Sequence, residues 1–321
     1  MGESRSVASR ELDILTRIRA LLPGGEALID DCGAIPSVPP GEVLLVTTDL
    51  MEEGIHFRTE WHPPGLLGSK LLIANLSDLD ASGADFIGYT LTLALPADLE
   101  MAWLEAFLAG LGNTAREYDI PVLGGDTVGR SKGIGLGMTA FGSARRWLRR
   151  DGVLQGDRIY VDQPLGRSLK GWRKLQGGER WNALCPDADI SWHLDPKPLL
   201  GLGPRLGEIP EIHACIDLSD GLSKDLRMLA EASGVTLRLR PGLSDDELFG
   251  GEDYARCFAS PLGLEALESR LGISLVTVAE AVEPGASPVL VYDGGSWISL
   301  DDHSFDHFEH PDHHSNRPGL S

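Results

Sequence analysis

Basic residues are scarce in this 321-residue chain: 28 Lys and Arg stand against 48 Asp and Glu, a formal net charge of −20. That balance excludes nucleic-acid binding through the general field of the protein, because phosphate contacts need Lys and Arg. It leaves nucleotides open, since divalent metals bridge carboxylates to phosphates. Cysteine is sparse as well, with Cys32, Cys185, Cys215 and Cys257 scattered and no C-x-x-C pair among them. This scatter, with a polar start and no signal peptide, leads us to expect reduced thiols and a cytoplasmic location. No apolar run approaches the roughly 20 residues that a membrane helix requires. The usual nucleotide fingerprints are missing too. There is no G-x-x-x-x-G-K-[ST], and Gly201-Leu202-Gly203 lacks the continuation of a dinucleotide loop. No H-R-D or D-F-G signature of the protein kinases occurs, and no short-period repeat is visible.

What the chain has in quantity is glycine, at 39 residues, with 20 prolines, which implies many tight loops between short elements. Its length predicts two domains. We place the boundary at the one dense basic patch, Arg145, Arg146, Arg149 and Arg150, giving domains over 1–148 and 149–321. Apolar spacing predicts a helix over 9–22, with Leu12, Leu15, Ile18, Leu21 and Leu22 on one face. A second helix over 65–82 is apolar nearly all round and is therefore expected to be buried, carrying Asn75 and Asp78 on one face. Asp78, as a buried carboxylate, should then meet a cation, a metal or strong donors. Strands are expected at 43–46, 86–95, 121–123 and 133–142, and a helix at 98–118. In the second half, strands at 158–162, 215–218, 235–239 and 273–279 alternate with helices at 168–176, after Ser219 and at 262–271. A hairpin sits near Asp293-Gly294-Gly295. Residues 177–198 read as irregular. The class is mixed α/β (α+β).

Acidic side chains recur where these strands are expected to end: Asp30 and Asp31, Asp49, Asp126, Asp217 and Asp220, Glu252 and Asp253. Asp and Gly are ordinary turn and cap residues, which accounts for any one of these sites. Two clusters fit that account less well, Gly124-Gly125-Asp126-Thr127 and Asp217-Leu218-Ser219-Asp220-Gly221. Glycine lets backbone approach a ligand closely, and neighbouring carboxylates repel unless cations lie between them. Several carboxylates around a phosphate chain is the chemistry of Mg²⁺, a hard ion with oxygen ligands. Val43 to Val46 reads as a buried strand delivering Thr47, Thr48 and Asp49 to its end. Beyond it, Glu52 and Glu53 read as a solvated turn, with His56 either a surface residue or a substrate contact. Cys32 is expected to be a small packing residue. The closing histidines from His303 read as a solvated tail.

In this order, the motifs resemble those of the thiamine-monophosphate kinase family, within the aminoimidazole ribonucleotide synthetase-like ATP-binding superfamily. The matching pieces are Asp30-Asp31-Cys32, Thr47-Thr48-Asp49, Gly54-Ile55-His56-Phe57 and Asn75-Leu76-Ser77-Asp78-Leu79. They continue with Gly124-Gly125-Asp126-Thr127, Gly156-Asp157-Arg158, Ile216-Asp217-Leu218-Ser219-Asp220-Gly221 and Gly250-Gly251-Glu252-Asp253-Tyr254. The resemblance implies two α/β domains, a homodimer whose N-terminal sheets pair, and ATP held through several Mg²⁺, with K⁺ a candidate further ion. By residue match, the metal ligands would be Asp31, Thr47, Thr48, Asp49, Asp78, Asp126, Asp217 and Asp220. Gly125, Asp126, Arg150 and Ser219 would meet ATP, and His56, Glu252 and Phe305 would meet thiamine monophosphate. The chain departs from the family pattern at Ala27-Leu28-Ile29, where Gly-x-Gly is usual. It departs again at Asp80, where a small apolar residue is usual, and in a short segment between Gly234 and Gly250. The activity implied is ATP-dependent phosphorylation of thiamine monophosphate. The alternatives are another enzyme of the superfamily or a non-catalytic ATP-binding protein.

Overall fold

The computed structural model of the chain describes residues 10–29 and 32–301. They fall into two compact units. The first takes in Val46–Asn75 and Phe86–Gly142 with the N-terminal segment through Pro39. The second takes in Pro40–Leu45, Leu76–Asp85 and the chain from Ser143 onward.

The first unit is built from α1 (Arg10–Leu21), β1 (Val43–Glu52), α2 (Pro64–Ala81), β2 (Asp85–Pro96), α3 (Met101–Glu117), β3 (Val122–Arg130) and β4 (Gly135–Ala144). The last six residues of α2 belong to the second unit, as do Val43–Leu45 of β1, Asp85 of β2 and the last two residues of β4. The four strands form one sheet in the order β1-β4-β2-β3, so β1 and β3 are its two edges. Side chains alternate faces along a strand, and burial follows that period. Leu91, Leu93 and Leu95 of β2 and Leu136, Met138 and Ala140 of β4 are buried. Their neighbours Thr92, Gly137 and Thr139 lie on the opposite, open face. α2 and α3 approach through glycine: a Cβ on Gly68 would lie 2.2 Å from the Phe107 carbonyl oxygen, and one on Gly110 1.9 Å from that of Gly65.

The second unit continues with β5 (Arg158–Val161), α4 (Arg167–Gln176), α5 (Ala188–Leu194), α6 (Leu202–Gly207), β6 (Ala214–Leu218), α7 (Leu222–Ser233) and β7 (Thr236–Leu239). It closes with α8 (Asp245–Phe249), β8 (Ala255–Ser260), α9 (Leu264–Leu271), β9 (Val276–Val282), β10 (Val289–Asp293) and β11 (Ser296–Ser299). Its mixed sheet runs β11-β10-β7-β9-β5-β8-β6; β10 pairs with β7 in parallel, whereas β5, β6, β8 and β9 pair antiparallel. The two-residue period splits the core cleanly. Ile159, Val161, Ile216, Leu218, Cys257 and Ala259 face α7, through Leu222, Leu226 and Leu229. Tyr160, Cys215 and Phe258 face the other way, against Leu202 and Leu206 of α6 and Leu267 and Leu271 of α9.

Several expectations are corrected. β1 is an edge strand whose Val43, Leu44 and Val46 are exposed, and Thr47 to Asp49 sit within it rather than at its end. Asp126 likewise lies inside a strand, because β3 runs on through Gly124 and Gly125 to Arg130. Residues 177–198, expected to be irregular, contain α5; Asp187 caps it, its side chain accepting from the Asp189 and Ile190 amides. Cys32 is exposed rather than packed. The His-rich stretch from His303 lies outside the described residues.

Candidate active site

Strand alternation separates the candidate residues of the first unit. The Thr139 hydroxyl lies 3.1 Å from that of Thr48, whose own hydroxyl donates to the Met138 carbonyl at 2.9 Å. A Cβ on Gly137 would lie 3.3 Å from the Thr92 Cβ, and Thr92 is the register partner of Asp126. Thr48, Thr139, Thr92 and Asp126 therefore share the open face of the sheet. Thr47 and Asp49 alternate with them, in phase with buried Met51. The triplet Thr47-Thr48-Asp49 thus presents oxygens on both sides of its strand. Asp126 stands on the far edge strand, with β4 and β2 between, and accepts from the Thr127 amide at 2.9 Å. Gly125 before it has φ +159°, and a Cβ there would sit 2.0 Å from the Leu91 carbonyl oxygen. No other residue type allows that approach.

The turn after β1 is held by its own residues. The Glu52 amide donates to His56 Nδ1 at 3.0 Å, which fixes the neutral tautomer with hydrogen on Nε2. Glu52 also pairs with Arg130 at 2.8 Å, and Thr59 donates to Glu53 at 2.6 Å. The solvated-turn reading of these two glutamates is therefore corrected: both tie the turn together and so position His56.

In the second unit, Asp217 lies buried next to the end of β6, and Ser77 of α2 donates to its Oδ2 at 2.9 Å. The Asn75–Leu79 and Ile216–Gly221 motifs so meet through side chains. Asp220 is partly exposed and pairs with Lys224 at 2.7 Å. Arg150 is exposed, its guanidinium 3.6 Å from the Met228 sulfur. Loop 250–254 lies against the same β6 turn: the Glu252 amide donates to the Ser219 carbonyl and the Tyr254 amide to that of Leu218, each at 2.8 Å. Glu252 and Tyr254 hold φ of +61° and +53°. Side chains in this left-handed region cost about 1–3 kcal/mol each, strain that gathers at functional sites. Asp253 accepts from the Gly166 and Ser168 amides at the start of α4. Burial nevertheless pushes its carboxyl up to about 6. Asp31 and Phe305 lie outside the described residues.

Two further acidic residues of this unit are buried: Asp80, noted above only as a departure from the family pattern, and Asp225, which no motif singled out. Asp78 was expected to be the buried carboxylate of α2, yet it is half-buried. Asp80, two residues and 200° further round the helix, is fully buried. Asp80 accepts from the Gly201 and Gly203 amides at 2.7 and 3.2 Å, and its Oδ2 lies 3.4 Å from Arg256 Nε. Arg256 also grips buried Asp162, at 2.8 and 3.1 Å. Burial outweighs the cation and raises Asp80 to about 6. Asp225 in the first turn of α7 is the other: its carboxylate accepts from the Asp220 and Gly221 amides, each at 3.2 Å. Burial, then the neighbouring Asp220, pushes it up to about 8. Its place in the first helical turn beside the Asp217–Gly221 cluster was the available signal.

Residues 29–144 match the family model of the AIR synthase related protein, N-terminal domain. The chain is 33% identical to the thiamine-monophosphate kinase of Synechococcus elongatus over 321 aligned residues, 93% of this chain and 96% of that protein. It belongs to the thiamine-monophosphate kinase family. The family's solved structures share the two-unit α/β fold described above. The crystal structure of thiamine-monophosphate kinase from Stenotrophomonas maltophilia is 31% identical, with a TM-score of 0.72, covering 89% of this chain and 97% of that one. The structure of AaThiL complexed with AMPPCP and TMP is 28% identical, with a TM-score of 0.73, covering 86% and 90%. The expected family and fold are thus borne out.

Proposed function

We propose that this chain transfers the γ-phosphoryl group of ATP to thiamine monophosphate, giving ADP and thiamine diphosphate. The observation that carries the reading is the 33% identity over 93% of the chain to a thiamine-monophosphate kinase. A related structure holds AMPPCP and TMP together, which supports the same pair of ligands here. In the transfer, the bond from the γ-phosphorus to its bridging oxygen breaks and one forms to a terminal oxygen of the acceptor phosphate. That oxygen is anionic at neutral pH, so no general base is required. Catalysis then rests on in-line positioning and charge neutralisation.

The donors present suit Mg²⁺, since the candidates are carboxylates and hydroxyls without thiol or imidazole. Among the described residues no three His, Cys, Asp or Glu converge as a cage. Mg²⁺ needs none, as it is commonly bound by one or two carboxylates with substrate phosphates. When bound, it would neutralise charge building on the phosphoryl oxygens. Asp31, Thr47, Thr48, Asp49, Asp78, Asp126, Asp217 and Asp220 are assigned as ligands of several Mg²⁺ ions, and K⁺ is a candidate further ion. Gly125, Asp126, Arg150 and Ser219 are assigned to ATP, and His56, Glu252 and Phe305 to thiamine monophosphate. His56 offers Nε2–H to the acceptor, because Nδ1 already accepts from Glu52.

A homodimer whose N-terminal sheets pair belongs to the same reading. It is supported by Val46, Leu50 and Val128, exposed there at 63%, 58% and 47%. A cytoplasmic location without nucleic acid or membrane belongs to the same reading, and the acidic balance supports the absence of nucleic-acid contacts. Among the described residues no helix is long and apolar enough to cross a membrane. Incubation with ATP, Mg²⁺ and thiamine monophosphate, followed by chromatography, tests the function. ADP and thiamine diphosphate are expected, and ATP binding without either product would refute the proposal.

A further inference from the structure

The short helix α5, absent from the sequence reading, carries a buried histidine toward the candidate acceptor site. His193 Nδ1 lies 3.0 Å from the Ser168 hydroxyl and 3.3 Å from Glu252 Oε2. The histidine side chain is 6% exposed and that of Glu252 27%. Glu252 therefore reaches the surface of the unit while its inner oxygen rests on an imidazole out of water.

The chemistry of the three partners fixes the direction of these contacts. A hydroxyl donates or accepts, whereas an ionised carboxylate only accepts. The short approach to Glu252 is favourable when Nδ1 carries hydrogen, which it shares between the carboxylate and Ser168. α5 is well placed to hold that donor still. Lys174 of α4 binds both Asp187 and Asp189 at 2.8 Å, and a Cβ on Gly171 would lie 2.1 Å from the Asp189 carbonyl oxygen. Arg167 lies over the Trp192 ring at 4.4 Å. On the other side of the loop, the Glu252 amide is tied to Ser219. Backbone and side chain of Glu252 are thus each held by a separate partner.

We propose that His193, with Ser168, is a positioning residue that orients the Glu252 carboxylate toward a cationic or amino-bearing acceptor. The inference rests on the reading of Glu252 as a contact to thiamine monophosphate, whose thiazolium and aminopyrimidine suit an anionic partner. His193 touches no substrate itself. Its effect is on acceptor binding and leaves ATP binding alone.

The test compares His193→Gln, His193→Asn and Glu252→Gln in the full chain, measuring kcat, KM for each substrate and thermal unfolding. An asparagine amide nitrogen falls near the imidazole Nδ1 position, whereas that of glutamine falls near Nε2. A hydrogen bond to a charged group contributes enough that losing it changes binding roughly ten- to a hundredfold. His193→Gln is expected to raise KM for thiamine monophosphate by that order with KM for ATP unchanged, and His193→Asn to restore it. Should His193→Gln not fold, Ser168→Ala is expected to give the same split to a smaller degree. If Glu252→Gln raises KM for thiamine monophosphate and neither His193→Gln nor Ser168→Ala does, the positioning role is refuted while the reading of Glu252 stands. If Glu252→Gln has no effect, that reading fails and the inference with it. A parallel rise in both KM values, or equal damage in the Asn and Gln variants, marks a merely structural role and also overturns the proposal.

Discussion

Arg256→Met removes the single cation from between two carboxylates that are themselves fully buried. Asp80, Asp162 and Arg256 have side chains with no exposed surface. The guanidinium Nη1 and Asp80 Oδ2 have no hydrogen-bond partner among the described residues, so the Asp80 contact is Coulombic. Without the arginine both carboxyls must become neutral in the native protein. At pH 7, neutralising a carboxyl whose ordinary value is 3.8 costs at most about 4 kcal/mol, at about 1.4 kcal/mol per pH unit. Asp80 already carries about 3 kcal/mol of that in the parent protein, since its native value is about 6. The variant adds the remaining ~1 kcal/mol for Asp80 and up to ~4 kcal/mol for Asp162, a loss of about 3–5 kcal/mol, as expected for a broken buried pair. A carboxyl raised in the native state is harmless below its unfolded value and lowers stability as pH rises toward its native value. The deficit should therefore shrink by about half at pH 5.5, which stays clear of the isoelectric point near 4.8. Urea midpoints of both proteins at pH 7 and 5.5 provide the assay. An unchanged midpoint at pH 7, or a deficit that does not narrow in acid, would refute the argument.

Asp49→Asn and Asp126→Asn should each lower turnover by about 100-fold or more while leaving circular dichroism and unfolding unchanged; near-normal Mg²⁺-dependent activity in either would remove that residue from the metal set. Asp225→Asn should raise the urea midpoint of the metal-free protein, with a larger gain at pH 8 than at pH 6.5. The buried carboxyl, with a native value of about 8, costs the parent protein more as pH rises, and a midpoint lowered equally at both pH values would contradict this. Gly110→Ala puts a Cβ 1.9 Å from the Gly65 carbonyl oxygen and should cost about 1–3 kcal/mol. Gly129→Ala meets nothing within 4 Å and should shift stability by no more than about 0.5 kcal/mol.

Long elements with a clear period were readable from sequence. The apolar face of α3 and the all-round apolar α2 gave their own positions, since each spans several turns of regular burial; α1 was located but its face was misassigned, because Ile14, Ile18 and Leu22 are buried while Leu12 is exposed. Short elements were not. α5 has seven residues and depends on an Asp187 cap and on Lys174, which is remote in sequence. The motifs pointed to the right family but misled on local structure. An apolar run before Asp49 and the glycines before Asp126 suggested strand ends there, whereas strand pairing absorbed both into β1 and β3. Tertiary contacts hid the rest. Nothing near Asp80 in sequence announces Arg256, and His193 meets Glu252 across 59 residues of chain. The departure from the family pattern at Asp80 was visible, and its reason, the Arg256 contact, was not.

The central claim is phosphoryl transfer to a phosphate acceptor, and ³¹P nuclear magnetic resonance of the complete reaction tests it most directly. With ATP, Mg²⁺ and thiamine monophosphate, the account predicts thiamine diphosphate and ADP appearing in equal amounts, with no inorganic phosphate. ADP accompanied by inorganic phosphate, with thiamine monophosphate unchanged, would contradict it.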